Sequence, residues 1–181
     1  MKATRHNGRS GKHGTYDAKH NDRRFDVENS EHIDAERTKM NVYWDCYQGY
    51  SLQNDKDERA RFTFTEIEKA YYVEKYSDHV DGQNERNRKA RHYDRVKTID
   101  AILENNKTCP EETLLQFGNM DGAVSADVLA QVSAEYFEEF NRRYGSHVHI
   151  LDWALHLDEA TPHIHERHVW HWWIWRMPRE N

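Results

Sequence analysis

Residues 156–165 read HLDEATPHIH, which sets three histidines and two acidic residues into ten positions around a turn at Pro162. A strand repeats every two residues, so a His-x-His pair sends the rings of His163 and His165 to the same side. The stretch before it, HVHILDWALHLD at 147–158, alternates, with Leu151, Trp153, Leu155 and Leu157 on one face and Asp152, Ala154 and His156 on the other. That pattern predicts a strand with one buried face. Two strands joined by so short a turn are antiparallel neighbours, which brings His156 opposite the His163 and His165 pair. Three neutral imidazoles, joined by Glu159 from the turn, leave positions open for water or substrate, as catalytic rather than closed structural metal sites do. Nitrogen ligands suit zinc, manganese, iron or nickel, and an open, phosphate-directed site with a carboxylate nearby favours Mn2+ or Mg2+. The chain has thirteen histidines, and an isolated His-x-His among them would ordinarily be a solvated or packed pair. The facing His156 and Glu159 turn the reading toward a metal.

These residues need elements to hold them. HIHERHVW, after the turn, puts His163, His165 and Arg167 on one face of a strand and Ile164 and Glu166 on the other. SADVLAQVSAEYFEEFNRRYG predicts a helix from a cap at Ser125 to a stop at Gly145, with Val128, Leu129, Val132, Tyr136, Phe137 and Phe140 as its apolar stripe. RFTFTEIEKAYYVEKY at 61–76 spaces Phe64, Ile67, Tyr71 and Tyr72 for a second helix, and the polar residues after it read as a solvated extension or a mobile connection. EETLLQFGN reads as a short strand before a loop at 119–124. Residues 1–6 suggest another short strand, and 7–34, rich in Gly, Asn, Asp and Ser, a loop. DAERTK at 34–39 fits a helix opened by an aspartate cap and NVYWDCY just after it fits a strand; the pattern does not separate them. No internal repeat is visible. The elements add up to an α/β (α+β) domain: a central antiparallel sheet, flanking helices, and the histidines on its open face.

At 181 residues, with 36% hydrophobic and 32% charged residues, six Trp, ten Tyr and six Phe, the chain fits one folded, heavily solvated domain. No apolar run is long enough for a membrane span, and the basic start MKATRHNGRSGKHG lacks the apolar stretch of a secretory signal, so the expectation is a cytoplasmic protein. Cys46 and Cys109 match no Cys-x-x-Cys pattern and read as reduced structural thiols. A net charge of -6 argues against a protein that coats nucleic acid by charge alone. Residues 1–24 depart from that average with seven basic residues against two acidic ones, and they are either the segment that meets phosphate or a solvated arm.

HLDEATPHIH resembles the metal motif of the Mob/Pre (MobV) plasmid mobilisation relaxases, a branch of the His-hydrophobic-His endonucleases whose pattern is His-x-Asp-Glu-x-Thr-Pro-His-x-His. All seven fixed positions agree: His156, Asp158, Glu159, Thr161, Pro162, His163 and His165. The family's upstream motif begins His-Asn-x-Arg and continues to an Ile-Asp pair, and this chain reads HNDRRFDVENSEHID from His20 to Asp34. The resemblance implies a relaxase that nicks and rejoins one strand of DNA at a plasmid or mobile-element transfer origin. It implies that His156, His163 and His165 hold the divalent ion with Glu159 joining or supporting them. By the same likeness His20 is the nucleophile, and its attack leaves a histidine-linked 5′ phosphate and a free 3′ hydroxyl. Arg23 would neutralise the phosphate, and Arg5, Arg9, Asn21 and Arg24 would help bind single-stranded or hairpin DNA. If the two motifs form one site, the His20 ring must lie within about 10 Å of the histidine cluster.

Other readings remain beside this one. Tyr43 or Tyr47, in NVYWDCY, is the rival nucleophile, since many related endonucleases use tyrosine, although aromatic core is the simpler role for both. A DNA-binding remnant without catalysis, or an unrelated metal-dependent hydrolase, would also carry some of these features. HVWHWWIWRMPREN holds four of the six tryptophans and departs from the family's pattern. The expected organisation is therefore a relaxase-like domain at 1–169 and an atypical Trp-rich tail at 170–181, as truncation or a shifted reading frame would leave.

Overall fold

A computed structural model of the chain describes residues 3–9, 17–52, 62–118 and 124–170. Its elements run β1 (Ala3–Arg9), α1 (Ala18–Asn21), a 3-10 turn (Thr38–Met40), β2 (Val42–Asp45), β3 (Gly49–Leu52), α2 (Phe64–Lys89), a second 3-10 turn (Tyr93–Arg95), α3 (Ile99–Leu103), β4 (Glu111–Phe117), α4 (Ala126–Tyr144), β5 (Val148–His156) and β6 (His163–Trp170). The strands form one six-stranded antiparallel sheet in the order β1-β4-β6-β5-β2-β3. The histidine hairpin β5–β6 therefore lies at the centre, where ladders on both sides fix its backbone.

Helices cover both faces. Leu129 and Phe137 of α4 pack on Ile150, Trp153, Leu155, Leu157 and Ile164. On the other side Tyr71, Tyr72, Tyr76 and Val80 of α2 meet Leu151 and Val169, and Ala18 and Phe64 close over Tyr43 and Ala154. β5 is thus buried on both faces, where alternation predicts one, because its Asp152, Ala154 and His156 face a polar interior beneath α1 and α2. Leu151 also leaves its predicted face. A register shift between Ile150 and Asp152 inserts one residue, so Ile150 takes the α4 side and Leu151 turns to α2.

Local chemistry explains the other differences from expectation. α2 opens on a capping box between Thr63 and Glu66. It continues through its polar second half because the chain returns along it: Asn84 exchanges hydrogen bonds with the Lys97 backbone, and Asn87 donates to the Arg95 carbonyl. In α4 the predicted stripe narrows, with Leu129 and Phe137 buried and Val128, Val132 and Tyr136 exposed. β1 extends to Arg9, and the segment at 34–47 resolves as a 3-10 turn followed by β2. The stretch predicted as loop contains α1, whose four residues are too few for a periodic signal; the Asp17 carboxylate caps it by accepting from the Lys19 N–H. Residues 10–16 of the basic segment and 171–181 of the Trp-rich tail lie outside the described residues. No helix among the described residues is long and apolar enough to cross a membrane.

Residues paired across an antiparallel ladder share a face, so the register sorts side chains into rows. On the α2 face, Thr4, Gln116, His163 and His156 make one row; His6, Leu114, His165, Ala154 and Tyr43 the next; Gly8, Glu112, Arg167, Asp152 and Asp45 the third. These rows are the ground plan of the site.

Candidate active site

His156, His163 and His165 form a near-equilateral triangle, with ring centroids 5.2, 5.0 and 4.9 Å apart. One nitrogen of each ring is anchored from behind. His156 Nε2 donates to the Asn21 carbonyl at 2.8 Å, His163 Nδ1 to the Thr161 carbonyl at 2.8 Å, and His165 Nδ1 to the Glu112 carboxylate at 2.5 Å. A carbonyl only accepts, so His156 and His163 carry their protons on those outer nitrogens and present lone pairs inward. His156 Nδ1 and His163 Nε2 face each other at 3.4 Å with no proton between them, and His165 Nε2 is buried with no hydrogen-bond partner among the described residues. Two inward lone pairs and the unpartnered His165 Nε2, each ring fixed by an outer hydrogen bond, are the donor set that a divalent cation takes. Burial, together with neighbouring positive charge, holds His156 well below the ordinary imidazole range and lowers His163 as well.

Glu159 enters from the β5–β6 turn. Its Oε1 lies 3.7 Å from His163 Nε2, 3.9 Å from His156 Nδ1 and 2.7 Å from Arg23 Nη2. Arg23 also grips Asp158 through Nε at 3.0 Å and Nη2 at 2.7 Å, and Asn41 Nδ2 holds the same carboxylate at 2.7 Å. Burial pushes the Asp158 carboxyl up, but Arg23 and Asn41 outweigh it and leave it below the usual carboxylate value. Arg23 adopts φ 57, an uncommon left-handed conformation for a residue with a side chain, which these bonds hold in place. The Asp34 N–H donates to the Asp158 carbonyl at 2.7 Å, so the start and end of HNDRRFDVENSEHID are both tied to HLDEATPHIH.

α1 delivers His20 to the open side of the triangle. Its ring centroid is 5.8 Å from that of His156 and 5.4 Å from that of His165, well inside the 10 Å limit. Arg23 Nη1 lies 3.3 Å from His20 Nε2, and Glu159 Oε1 lies 3.8 Å from the same atom. A guanidinium only donates, so Nε2 carries the lone pair. Burial, then the Arg23 charge and the neighbouring His165, pull His20 down to about 4, which keeps its ring neutral at pH 7. His20 is stacked near-parallel with Phe25 and His32 at 5.6 and 6.3 Å. A cavity of about 420 Å³ opens here, lined in part by His20, Glu159, His163 and His165.

Behind the histidines lies a buried polar layer that motif reading does not supply. Glu112 binds His165, accepts from Asn21 Nδ2 at 3.2 Å, and accepts from Arg167 Nη1 at 3.0 Å; Arg167 in turn pairs with Glu68 of α2. Glu112 sits in EETLLQF with nothing local to mark it, and its signal is the register that places it one row from His165. Asn21 is buried and works through Glu112 and His156, so its predicted contact with DNA is replaced by an internal one. Tyr43 is fully buried against Phe64, accepts from Asn41 Nδ2 at 3.3 Å, and has no access to a phosphate. Tyr47 lies beyond the far end of β2, with its hydroxyl 2.7 Å from Glu74. Arg24 is exposed beside the site. Arg5 hydrogen-bonds Asn7 and Thr113 and lines a separate cavity with Tyr136, on the α4 face. Arg9 ends β1 opposite Glu111.

A sheet with a His-x-His strand and a facing histidine at its centre, and a histidine-bearing short helix leaning over them, is a fold shared with solved relaxase domains. The solved structures that it matches are of the MobM relaxase domain (MOBV; Mob_Pre), Mn-bound and carrying plasmid pMV158 oriT DNA. The one at pH 6.8 aligns with a TM-score of 0.55 and 18% identity over 92% of this chain and 69% of that chain. Those at pH 5.5 and pH 4.6 give 0.52 with 17% identity and 0.51 with 15% identity, again over 92% of this chain. The likeness is one of fold. No family model matches the chain, and no curated protein does.

Proposed function

We propose that this chain is a metal-dependent relaxase that nicks and rejoins one DNA strand at a transfer origin through a covalent protein–DNA link. The observation that carries the reading is the approach of His20, neutral and with its Nε2 lone pair accepting from Arg23, to within single-phosphate reach of the three-histidine triangle. Among the described residues two overlapping clusters bring their ligand atoms within 4.8 Å of one another, His156 with Glu159 and His163, and His156 with His165 and His20. With His20 kept for the phosphate, His156, His163 and His165, with Glu159 beside them, would hold a divalent ion, Mn2+ or Mg2+, that withdraws charge from the non-bridging oxygens of the phosphodiester. The fold match to Mn-bound, oriT-bound relaxase domains supports the same choice of metal and DNA.

His20 acts as the nucleophile. Its Nε2 forms a bond to phosphorus while the P–O3′ bond breaks; the 3′ oxygen takes a proton from solvent and leaves as a hydroxyl, and the 5′ phosphate stays on the ring. Attack by that 3′ hydroxyl reverses the step and reseals the strand. Arg23, released from His20 Nε2 as the phosphate arrives, donates to a non-bridging oxygen. Glu159 holds Arg23 in place. Arg24, exposed beside the site, extends the positive surface for single-stranded or hairpin DNA.

The test is incubation with 3′-labelled single-stranded oligonucleotides from candidate transfer origins in Mn2+, resolved on a denaturing gel. The expected result is a protein-linked fragment that His20→Ala and His163→Ala both abolish. Salt-sensitive DNA binding without an adduct would make the chain a non-catalytic remnant, and Mn2+ binding without affinity for DNA would make it a different hydrolase.

A further inference from the structure

The cavity beside the triangle has walls that the phosphate chemistry does not use, among them His32, Leu114 and Gln116. We infer that these three form a pocket for one base next to the scissile phosphate, and that Gln116 reads it. The inference rests on the relaxase reading and adds a source of sequence selectivity to it.

The rows of the sheet set the geometry. Gln116 is the direct cross-strand partner of His163, and Leu114 that of His165. Residues so paired have Cβ atoms about 5 Å apart, so a phosphate held on the histidines has its nucleoside over β4. Period-two alternation turns Leu114 and Gln116 to the same side. Leu114 gives an apolar surface, and His32, exposed and within 13° of parallel to His20, gives a flat ring in the same cavity. Such surfaces take the face of any base.

Selectivity needs a donor or an acceptor aimed at the edge. The Gln116 side chain is only partly exposed and makes no hydrogen bond to the described residues, so its carboxamide has both functions unused inside the cavity. A carboxamide pairs with base edges, whereas contacts to phosphate alone carry no sequence information. On the far side of β4 the same rows continue to Thr4 and His6 of the edge strand β1, a polar path by which the strand leaves.

The test uses the full chain, Mn2+ and a randomised single-stranded DNA library. Covalently captured fragments are sequenced for the wild type and for Gln116→Ala. Sequences retained without cleavage are read for His20→Ala and for the double variant His20→Ala/Gln116→Ala. A base preference of about tenfold is expected at one position next to the captured phosphate. It should fall below about twofold whenever Gln116 is replaced, while preferences elsewhere persist, and Gln116→Glu, which keeps the length and loses the donor, should change the preferred base. Capture by the wild type with the same preferences in Gln116→Ala overturns the pocket and leaves the relaxase reading standing. No capture by the wild type defeats the relaxase reading, and the retained pools then decide the pocket: a Gln116-dependent position supports it, and identical pools overturn it. An unchanged urea midpoint for Gln116→Ala excludes misfolding as the cause.

Discussion

His163 and His168 lie five residues apart on β6 and face opposite sides of the sheet, and their surroundings drive them to opposite charge states. Burial and the neighbouring His165 hold His163 below the ordinary imidazole value, and its Nδ1 proton goes to a neutral carbonyl. Burial works against charge at His168 too, but Glu111 and Glu166 overcome it and raise that ring to about 9; its Nδ1 lies 3.1 Å from both Glu166 oxygens. Burial is common to both, so the partner decides. His163, backed by a carbonyl, keeps a lone pair for a cation, while His168, clasped between two glutamates, becomes a cation itself.

The largest break in this arrangement comes from Glu112, which serves the metal side of the sheet while being charged like the partners of His168. Glu112→Ala leaves Arg167 and His165 facing an uncompensated buried space and should cost about 3–5 kcal/mol in urea unfolding. Glu112→Gln, which keeps the shape, should show its effect in Mn2+ affinity, lowered roughly 10–100-fold by calorimetry. Next in size is the exchange of roles between the two rings. His163→Ala should lose Mn2+ affinity by about a hundredfold or more with little loss of stability. His168→Ala should keep affinity within about threefold and cost about 2 kcal/mol, the scale of a charge-assisted hydrogen bond. If the two variants gave the same pattern, the contrast between the faces would be wrong.

Stability against pH sharpens the same contrast. In the presence of chelator, His20, His156 and His163 have folded values below the ordinary 6.5. Their contribution is therefore full above pH 6.5 and is lost as pH falls, for His20 toward about 4, because the unfolded chain takes up protons that the fold refuses. His168 has the reverse sign. Its contribution is full below pH 6.5 and is lost as pH rises through about 9. Urea midpoints should fall on both sides of neutrality, and His168→Gln should flatten the alkaline limb alone, by up to about 1.4 kcal/mol per pH unit. The smallest effect belongs to Tyr43→Phe, which removes one buried hydroxyl contact, should cost about 1 kcal/mol, and should leave any DNA adduct intact.

Much of the site was legible because its chemistry is local. His156, Glu159, His163 and His165 come from one hairpin whose period and turn place them, and the Asp158 and Arg23 positions follow from the two motifs. The sheet and its two long helices were legible for the same reason. Glu112, Asn41 and Arg167 were not, since each acts through a partner at least 50 residues away that only the strand order brings close. α1 was too short for periodicity, and the turn of Leu151 depends on a bulge that its neighbours in sequence do not encode. Arg5 and Asn21 show the limit of counting basic and polar residues: one points to the other face, and the other is locked inside.

The most direct measurement is to map the site of DNA attachment by mass spectrometry. Trypsin cuts after Lys19 and Arg23, so an oligonucleotide on the nucleophile would be carried by the short peptide from His20 to Arg23, through a P–N bond that acid cleaves. The account predicts a nucleotide on His20 and none on Tyr43 or Tyr47. An acid-stable adduct on either tyrosine, or capture of DNA that persists in His20→Ala, would contradict it.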